Sequence, residues 1–212
     1  MKVIDDGVIK YDRSNFSYCD HISEEECRDL EYQRKKLYHD NLIGECPIHK
    51  VGFGNISIKY DLQKIHPTTN PQFIITGTQT GKFSELNNTQ YTRVIDFDIE
   101  NLKLHSMGAL EASSEALTHA AIYLSNPNIG AIVHVHSKPI WEGIIKNTKF
   151  TTSKDIPYGT KEMAHAVMAF AKNHHTGYFA MEGHEDGVVA FAPTIEEATR
   201  ITLELHHQYT RK

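Results

Sequence analysis

The sequence predicts an α/β fold, a central antiparallel or mixed sheet with helices on its faces. Three observations predict it. Apolar residues recur with a period near 2 in some stretches and near 3.6 in others, so strands and helices are both present. The strand-like stretches come in runs and do not alternate one by one with helices, which argues against a doubly wound parallel sheet. At 212 residues the chain suits one large domain, 1–212, with residues 1–22 as an N-terminal extension, and can bury a core without disulfide or metal staples.

Each element has its own signal. The first 20 residues are mixed, with GVIKY as a short strand before a loop. SEEECRDLEYQRKKLYHDNLIG reads as a helix: Ser23 and Glu26 form a capping box, basic residues fall late and Gly44 supplies a stop. The period then changes. VGFGNISIKY (51–60) and QFIITGT (72–78) read as strands around a turn-rich loop with Pro67, Asn70 and Pro71, and TRVIDFDIE (92–100) as another strand. In 115–125, Leu117, Ala120, Ala121 and Leu124 follow the i, i+3, i+4, i+7 spacing of a helix. GAIVHVH follows as a strand. KEMAHAVMAFAK (161–172) is a helix with Met163, Ala166, Val167 and Phe170 inward and Thr160 as N-cap. GYFAME (177–182) and GVVAFA (187–192) form a strand pair around GHED. The last helix starts at Pro193-Thr194, where Thr194 and Glu197 make a second capping box, and ends near Tyr209.

Composition narrows the function classes. The net charge is −5 with histidines neutral, and the basic residues form no long run, so no nucleic-acid or membrane footprint is expected. The N-terminus, MKVIDDGVIKYD, has no long apolar core, so no signal peptide is expected, and no run approaches the roughly 18 apolar residues of a membrane span. Cys19, Cys27 and Cys46 are odd in number and form no CxxC pair, which predicts free thiols in a reducing compartment and a cytoplasmic protein.

The chemistry-bearing stretch is HVH. Residues two apart in a strand share a face, so His134 and His136 point the same way and can converge on one cation. The same spacing also fits two histidines satisfied by core hydrogen bonds. A third ligand must come from elsewhere. His184, between the glycines of MEGHEDG, is the first candidate, and His119, on the helix ALTHAAIY, the second. ASSEALTH places Ser113, Ser114 and Glu115 at a helix start, where free amides and the dipole favour anions and where an ionised carboxylate can act as a general base. A plain Ser114 N-cap with Glu115 compensating the dipole fits the stretch as well. GNIS (54–57), with Asn55 and Ser57, and the glycine- and threonine-rich TGTQTG (76–81) offer donors for an anion or simple turns.

In this order and spacing, GNIS, TGTQTG, SSE, HVH and a GH turn resemble the class II aldolase/adducin family, from about Gly52 to the C-terminal helix. The resemblance implies a three-layer α/β/α sandwich around a mainly antiparallel sheet, and a homotetramer with active sites at subunit interfaces. It implies zinc, or a similar divalent ion such as cobalt or manganese, on His134, His136 and His184. Asn55, Thr80, Gly81, Ser113 and Ser114 would surround a substrate phosphate, with Gly77-Thr78 as the alternative register to Thr80-Gly81. Glu115 would transfer the proton. The implied activity is that of a carbon–carbon lyase of carbohydrate metabolism, a metal-dependent aldolase that cleaves or condenses a ketose phosphate through a metal-stabilised enediolate. A sugar-phosphate dehydratase or 4-epimerase on the same site, or a non-catalytic adducin-like interaction protein, are the alternatives. The epimerase branch usually has aspartate where this chain has Glu115, which favours the aldolase branch or a related dehydratase. Two departures from the family pattern are Ala112, where a proline commonly precedes the serines, and Glu185, where glycine is frequent. The segment after His136 is also short, which leaves Tyr158 or Tyr209 to stand in for the family's tyrosine acid.

Overall fold

In a computed structural model of the chain, residues 8–19, 22–60, 68–146 and 148–210 are described. Strand β1 (Asp12–Tyr18) precedes helix α1 (Glu24–His39). The short strands β2 (Gly44–Glu45) and β3 (Gly52–Phe53) pair with each other. Then come β4 (Asn55–Lys59), β5 (Phe73–Thr76), β6 (Tyr91–Asp98), β7 (Lys103–Gly108), α2 (Ala116–Ser125), β8 (Ala131–His136) and α3 (Lys138–Ile145). The chain closes with α4 (Lys161–Ala171), β9 (Gly177–Ala180), β10 (Gly187–Ala192) and α5 (Ile195–Thr210).

Among the described residues, eight strands form one sheet in the order β1-β7-β6-β5-β4-β8-β10-β9. The sheet is mixed, which corrects the expectation of a mainly antiparallel one. The N-terminal strand β1 runs parallel to β7, while the pairs from β7 through β9 are antiparallel. A parallel neighbour needs a long crossover, and the chain between β1 and β7 supplies it.

Strand β8 lies between β4 and β10 and is buried on both faces. Its pleat sends alternate residues to separate clusters. Ile132 packs with α2 and α4 residues such as Leu117, Ala121, Met163 and Val167. Ala131, Val133 and Val135 pack with Leu30 and Leu37 of α1, Ile140 and Ile144 of α3, and Ala198 and Leu205 of α5. His134 and His136 continue the Ile132 side toward the strand's C-terminal end.

Several boundaries differ from the sequence expectation, each for a local reason. Of GVIKY, Gly7 lies outside the described residues and 8–11 form no strand: Tyr11 is a bend whose buried hydroxyl donates to the Ala112 carbonyl at 2.8 Å, and β1 starts at Asp12. α1 stops before Gly44, because Asn41 adopts a left-handed backbone (φ 56) and the Leu42 amide turns back to the Leu37 carbonyl. The 51–60 stretch divides into β3 and β4 at Gly54 (φ 78). Pro67 lies outside the described residues. The capping groups at Ser23, Thr160 and Thr194 accept from the amides of Glu26, Met163 and Glu197. Cys19, Cys27 and Cys46 are free thiols. No helix among the described residues is long and apolar enough to cross a membrane.

Candidate metal centre

His134 stands opposite Asn55 on β4 and Val189 on β10. Its Nδ1 lies 3.2 Å from the Val188 carbonyl. A carbonyl only accepts, so Nδ1 carries the proton and Nε2 presents a lone pair. This is the backbone support that usually orients a metal-ligating imidazole. His136, two residues on, is paired with Gly187.

His184 arrives on the turn between β9 and β10. Three backbone bonds close that turn, from the Met181 amide to the Gly187 carbonyl, from the His184 amide to the Met181 carbonyl and from the Gly187 amide to the His184 carbonyl. Trp141 of α3 donates its indole N–H to the same Met181 carbonyl at 2.9 Å. The two flanking glycines make room. A Cβ at Gly183 would lie 2.0 Å from the Ile156 carbonyl oxygen, and one at Gly187 would lie 2.4 Å from Cδ2 of the His184 ring.

The result is convergence. One nitrogen from each of His134, His136 and His184 lies within 4.8 Å of the others. The His136 and His184 Nε2 atoms are 3.0 Å apart. Metal–nitrogen bonds of about 2.0–2.1 Å at tetrahedral angles put ligand nitrogens roughly 3.3 Å apart, so this spacing fits a shared divalent cation. Burial keeps the imidazoles neutral, as ligands must be. It pushes His136 down to about 4. It also drives His134 and His184 well below the ordinary histidine value, helped in each by the nearby His136.

Glu115 is the N-cap residue of α2 and does not cap it with its side chain. The carboxylate is 3% exposed; its Oε2 accepts from the Thr118 hydroxyl at 2.8 Å, and its Oε1 lies 3.9 Å from His184 Nε2. Ser114 is therefore not the N-cap that the stretch also allowed. One cavity is lined by the three histidines, Glu115, Asn55, Thr80, Gly81, Ser113 and Ser114. Gly77 and Thr78 line it too, so both registers of the TGTQTG loop face the same space. Asn55 Oδ1 is buried with no hydrogen-bond partner among the described residues, as fits a group awaiting a ligand or water.

Other candidates fall elsewhere. His119 is not the third ligand: its ring is fully buried and its Nδ1 is 2.7 Å from the Ser57 hydroxyl, which also meets the Tyr123 hydroxyl at 2.8 Å. The Tyr158 ring packs 4.6 Å from that of His184, but its hydroxyl accepts from the Val8 amide and donates to the Val8 carbonyl. Tyr209 packs on α3 against Gly143, away from the cavity. Glu185 lines a neighbouring groove with His136, Phe53 and Cys46. Phe53 was not singled out by the sequence, yet it lines the cavity with its ring 5.5 Å from His136. Its place just before the GNIS glycine was the available signal.

A family model described as Class II Aldolase and Adducin N-terminal domain matches residues 42–209. No curated protein matches the chain in sequence. Among solved structures, the fold is similar to that of YgbL from Klebsiella pneumoniae, titled as a candidate aldolase/epimerase/decarboxylase. It is 20% identical, with a TM-score of 0.62, and the match covers 88% of each chain. It is similar to an L-fuculose 1-phosphate aldolase at 20% identity and TM-score 0.60, covering 87% of this chain and 83% of the other. A sugar-phosphate aldolase from Thermotoga maritima matches at 18% identity and TM-score 0.58, covering 89% and 97%.

Proposed function

This chain belongs to the class II aldolase and adducin family, and from that premise we propose that it is a divalent-metal-dependent aldolase acting on a ketose phosphate. The observation that carries the proposal is the convergence of three imidazoles, two buried and one half-buried, with Glu115 in one cavity. Zinc, or another divalent ion such as cobalt or manganese, held by His134, His136 and His184 would supply Lewis acidity at the substrate carbonyl.

The chain's own residues do the rest. Glu115, 3.9 Å from His184, takes the proton from the carbon next to the carbonyl during condensation and returns it during cleavage. Thr118 holds the carboxylate through Oε2, with Oε1 toward His184. Among the described residues no lysine or arginine lines the cavity, and neutral donors would hold the phosphate. Those are the side chains of Asn55, Thr80, Ser113 and Ser114 and the backbone at Gly81 and at the start of α2. The family resemblance extends the proposal to one three-layer domain and to a cytoplasmic homotetramer with the cavity at a subunit interface.

A product screen with the metal-loaded protein on ketose 1-phosphates and 5-phosphates tests this. Release of dihydroxyacetone phosphate or glycolaldehyde phosphate is expected. Loss of water, or an inverted carbon centre without fragments, would assign a dehydratase or epimerase instead. Absence of both turnover and bound metal would leave an adducin-like interaction protein.

A further inference from the structure

The loop after β5 carries Gly77, Thr78, Thr80 and Gly81 into the cavity, yet it has no regular secondary structure before the 3-10 turn at Asn88–Gln90. A glycine- and threonine-rich loop of this kind is mobile unless tertiary bonds hold it. Its first part is tied by the Gly77 amide to the Gln90 carbonyl, the Thr78 amide to the Glu111 carbonyl and the Gly52 amide to Gln79 Oε1. Its second part, residues 82–86, is held by α1. Glu31, Arg34, Lys35 and Tyr38 follow i, i+3, i+4, i+7 spacing and share one face of the helix.

Arg34 is 1% exposed. Its Nη1 donates to the Phe83 carbonyl at 3.0 Å and its Nη2 to the Ser84 carbonyl at 2.7 Å. The same guanidinium forks onto Glu31 through Nε at 2.8 Å and Nη2 at 3.2 Å. Glu31 accepts in turn from the Leu86 amide at 2.9 Å and the Tyr91 hydroxyl at 2.7 Å. Tyr38 donates to the Lys82 carbonyl at 3.4 Å. From the clamped end the path is short: the Phe83 amide donates to the Thr80 carbonyl at 3.1 Å, and the Thr80 hydroxyl to the Gly77 carbonyl at 2.8 Å.

We propose that the Arg34–Glu31 pair on α1 is a positioning device for substrate phosphate, locking residues 82–86 so that the adjoining Thr80 and Gly81 face the cavity. A buried ion pair adds little net stability over a well-packed apolar pair, because desolvation offsets the attraction. What this pair adds is geometry: a rigid planar fork sets two consecutive loop carbonyls, and lysine, a point donor, does not reproduce it. The substrate part rests on the phosphate role given above to Thr80 and Gly81.

The test compares the full-length wild type with Arg34→Lys and Tyr38→Phe, by amide hydrogen exchange, calorimetric titration with inorganic phosphate, and zinc content. In Arg34→Lys, exchange at 82–86 should accelerate about tenfold or more while β8 is unchanged. Phosphate should bind about tenfold more weakly at unchanged zinc content. Tyr38→Phe removes one hydroxyl and should shift both readouts the same way by less; it decides the matter if Arg34→Lys does not fold. Unchanged exchange in the loop, or acceleration spread evenly over the chain, overturns the clamp. If the wild type takes up no phosphate, the phosphate role of the loop is refuted and the substrate half of this proposal goes with it. The exchange pattern still decides the clamp.

Discussion

His184 reaches its two partners because almost nothing stands in its way. With a Cβ at Gly187 placed 2.4 Å from its ring, the imidazole would have to leave the position that brings its Nε2 to 3.0 Å from that of His136. Gly187→Ala should therefore weaken divalent-metal affinity by about 10–100-fold, the scale seen when groups that orient a ligand are disturbed. Competition with a coloured chelator measures it, and an unchanged affinity would contradict the assignment of His184. Glu115→Gln keeps the shape and removes the base. We expect full metal content with turnover lowered by about 100-fold or more, read in single-turnover assays, and undiminished turnover would remove Glu115 from the chemistry. At this scale the sequence was informative where spacing carries direction: a strand's period of two puts His134 and His136 on one side. The partner of His119 was not legible, because Ser57 lies 62 residues away and reaches it only through the packing of α2 on β4. Tyr158 was nominated as an acid, but nothing local revealed that its hydroxyl bonds to the backbone of Val8.

Among the elements, α1 shows how local signals become tertiary restraints. Ser23 and Glu26 close the capping box from both sides, at 3.3 Å and 2.6 Å. Ser23→Ala should destabilise the protein by about 0.5–2 kcal/mol, measured by urea unfolding; no change would mean that the helix start contributes nothing. Glu26 also bonds to Arg93. Burial opposes its charge, but hydrogen bonds from Tyr60, Ser23 and Arg93 outweigh it and hold the carboxyl down to about 2. A depressed carboxylate stabilises the fold above its unfolded value and ceases to do so as pH falls through the folded one. Wild type should therefore lose stability between roughly pH 4.5 and 2 more steeply than Glu26→Gln, and parallel profiles would contradict this. Strongly periodic elements such as α1, α4 and β8 were legible. β7 was not: its buried positions are Leu104, Ser106 and Gly108, so the alternation carries little apolar signal. α3 was missed because it is eight residues long, has proline in its first turn and contains Gly143. β1 was misplaced because it is almost wholly exposed, and the apolar residues lie just before it.

For the whole molecule, sheet order was the least legible feature. Strand pairing is decided by contacts distant in sequence, and the parallel β1–β7 pair joins residues about ninety positions apart, as Asp12 with Lys103. That the candidate residues gather in one cavity, by contrast, was readable because they sit at strand ends and helix starts, where the sheet collects them. His136 and His184 are separated by 48 positions and join β8 to the turn before β10. A cation there would tie the two together and stabilise the fold by mass action, about 2.7 kcal/mol at a hundredfold excess over the dissociation constant. Added zinc should raise the unfolding temperature of the wild type and leave that of His134→Ala unmoved; equal shifts in both would place the ion elsewhere. The most direct measurement is elemental analysis of the purified wild type beside His134→Ala and His184→Ala. Close to one divalent ion per chain in the wild type and almost none in either variant is the predicted result. A wild type that takes up no ion, or variants that retain a full complement, would contradict a shared three-histidine centre.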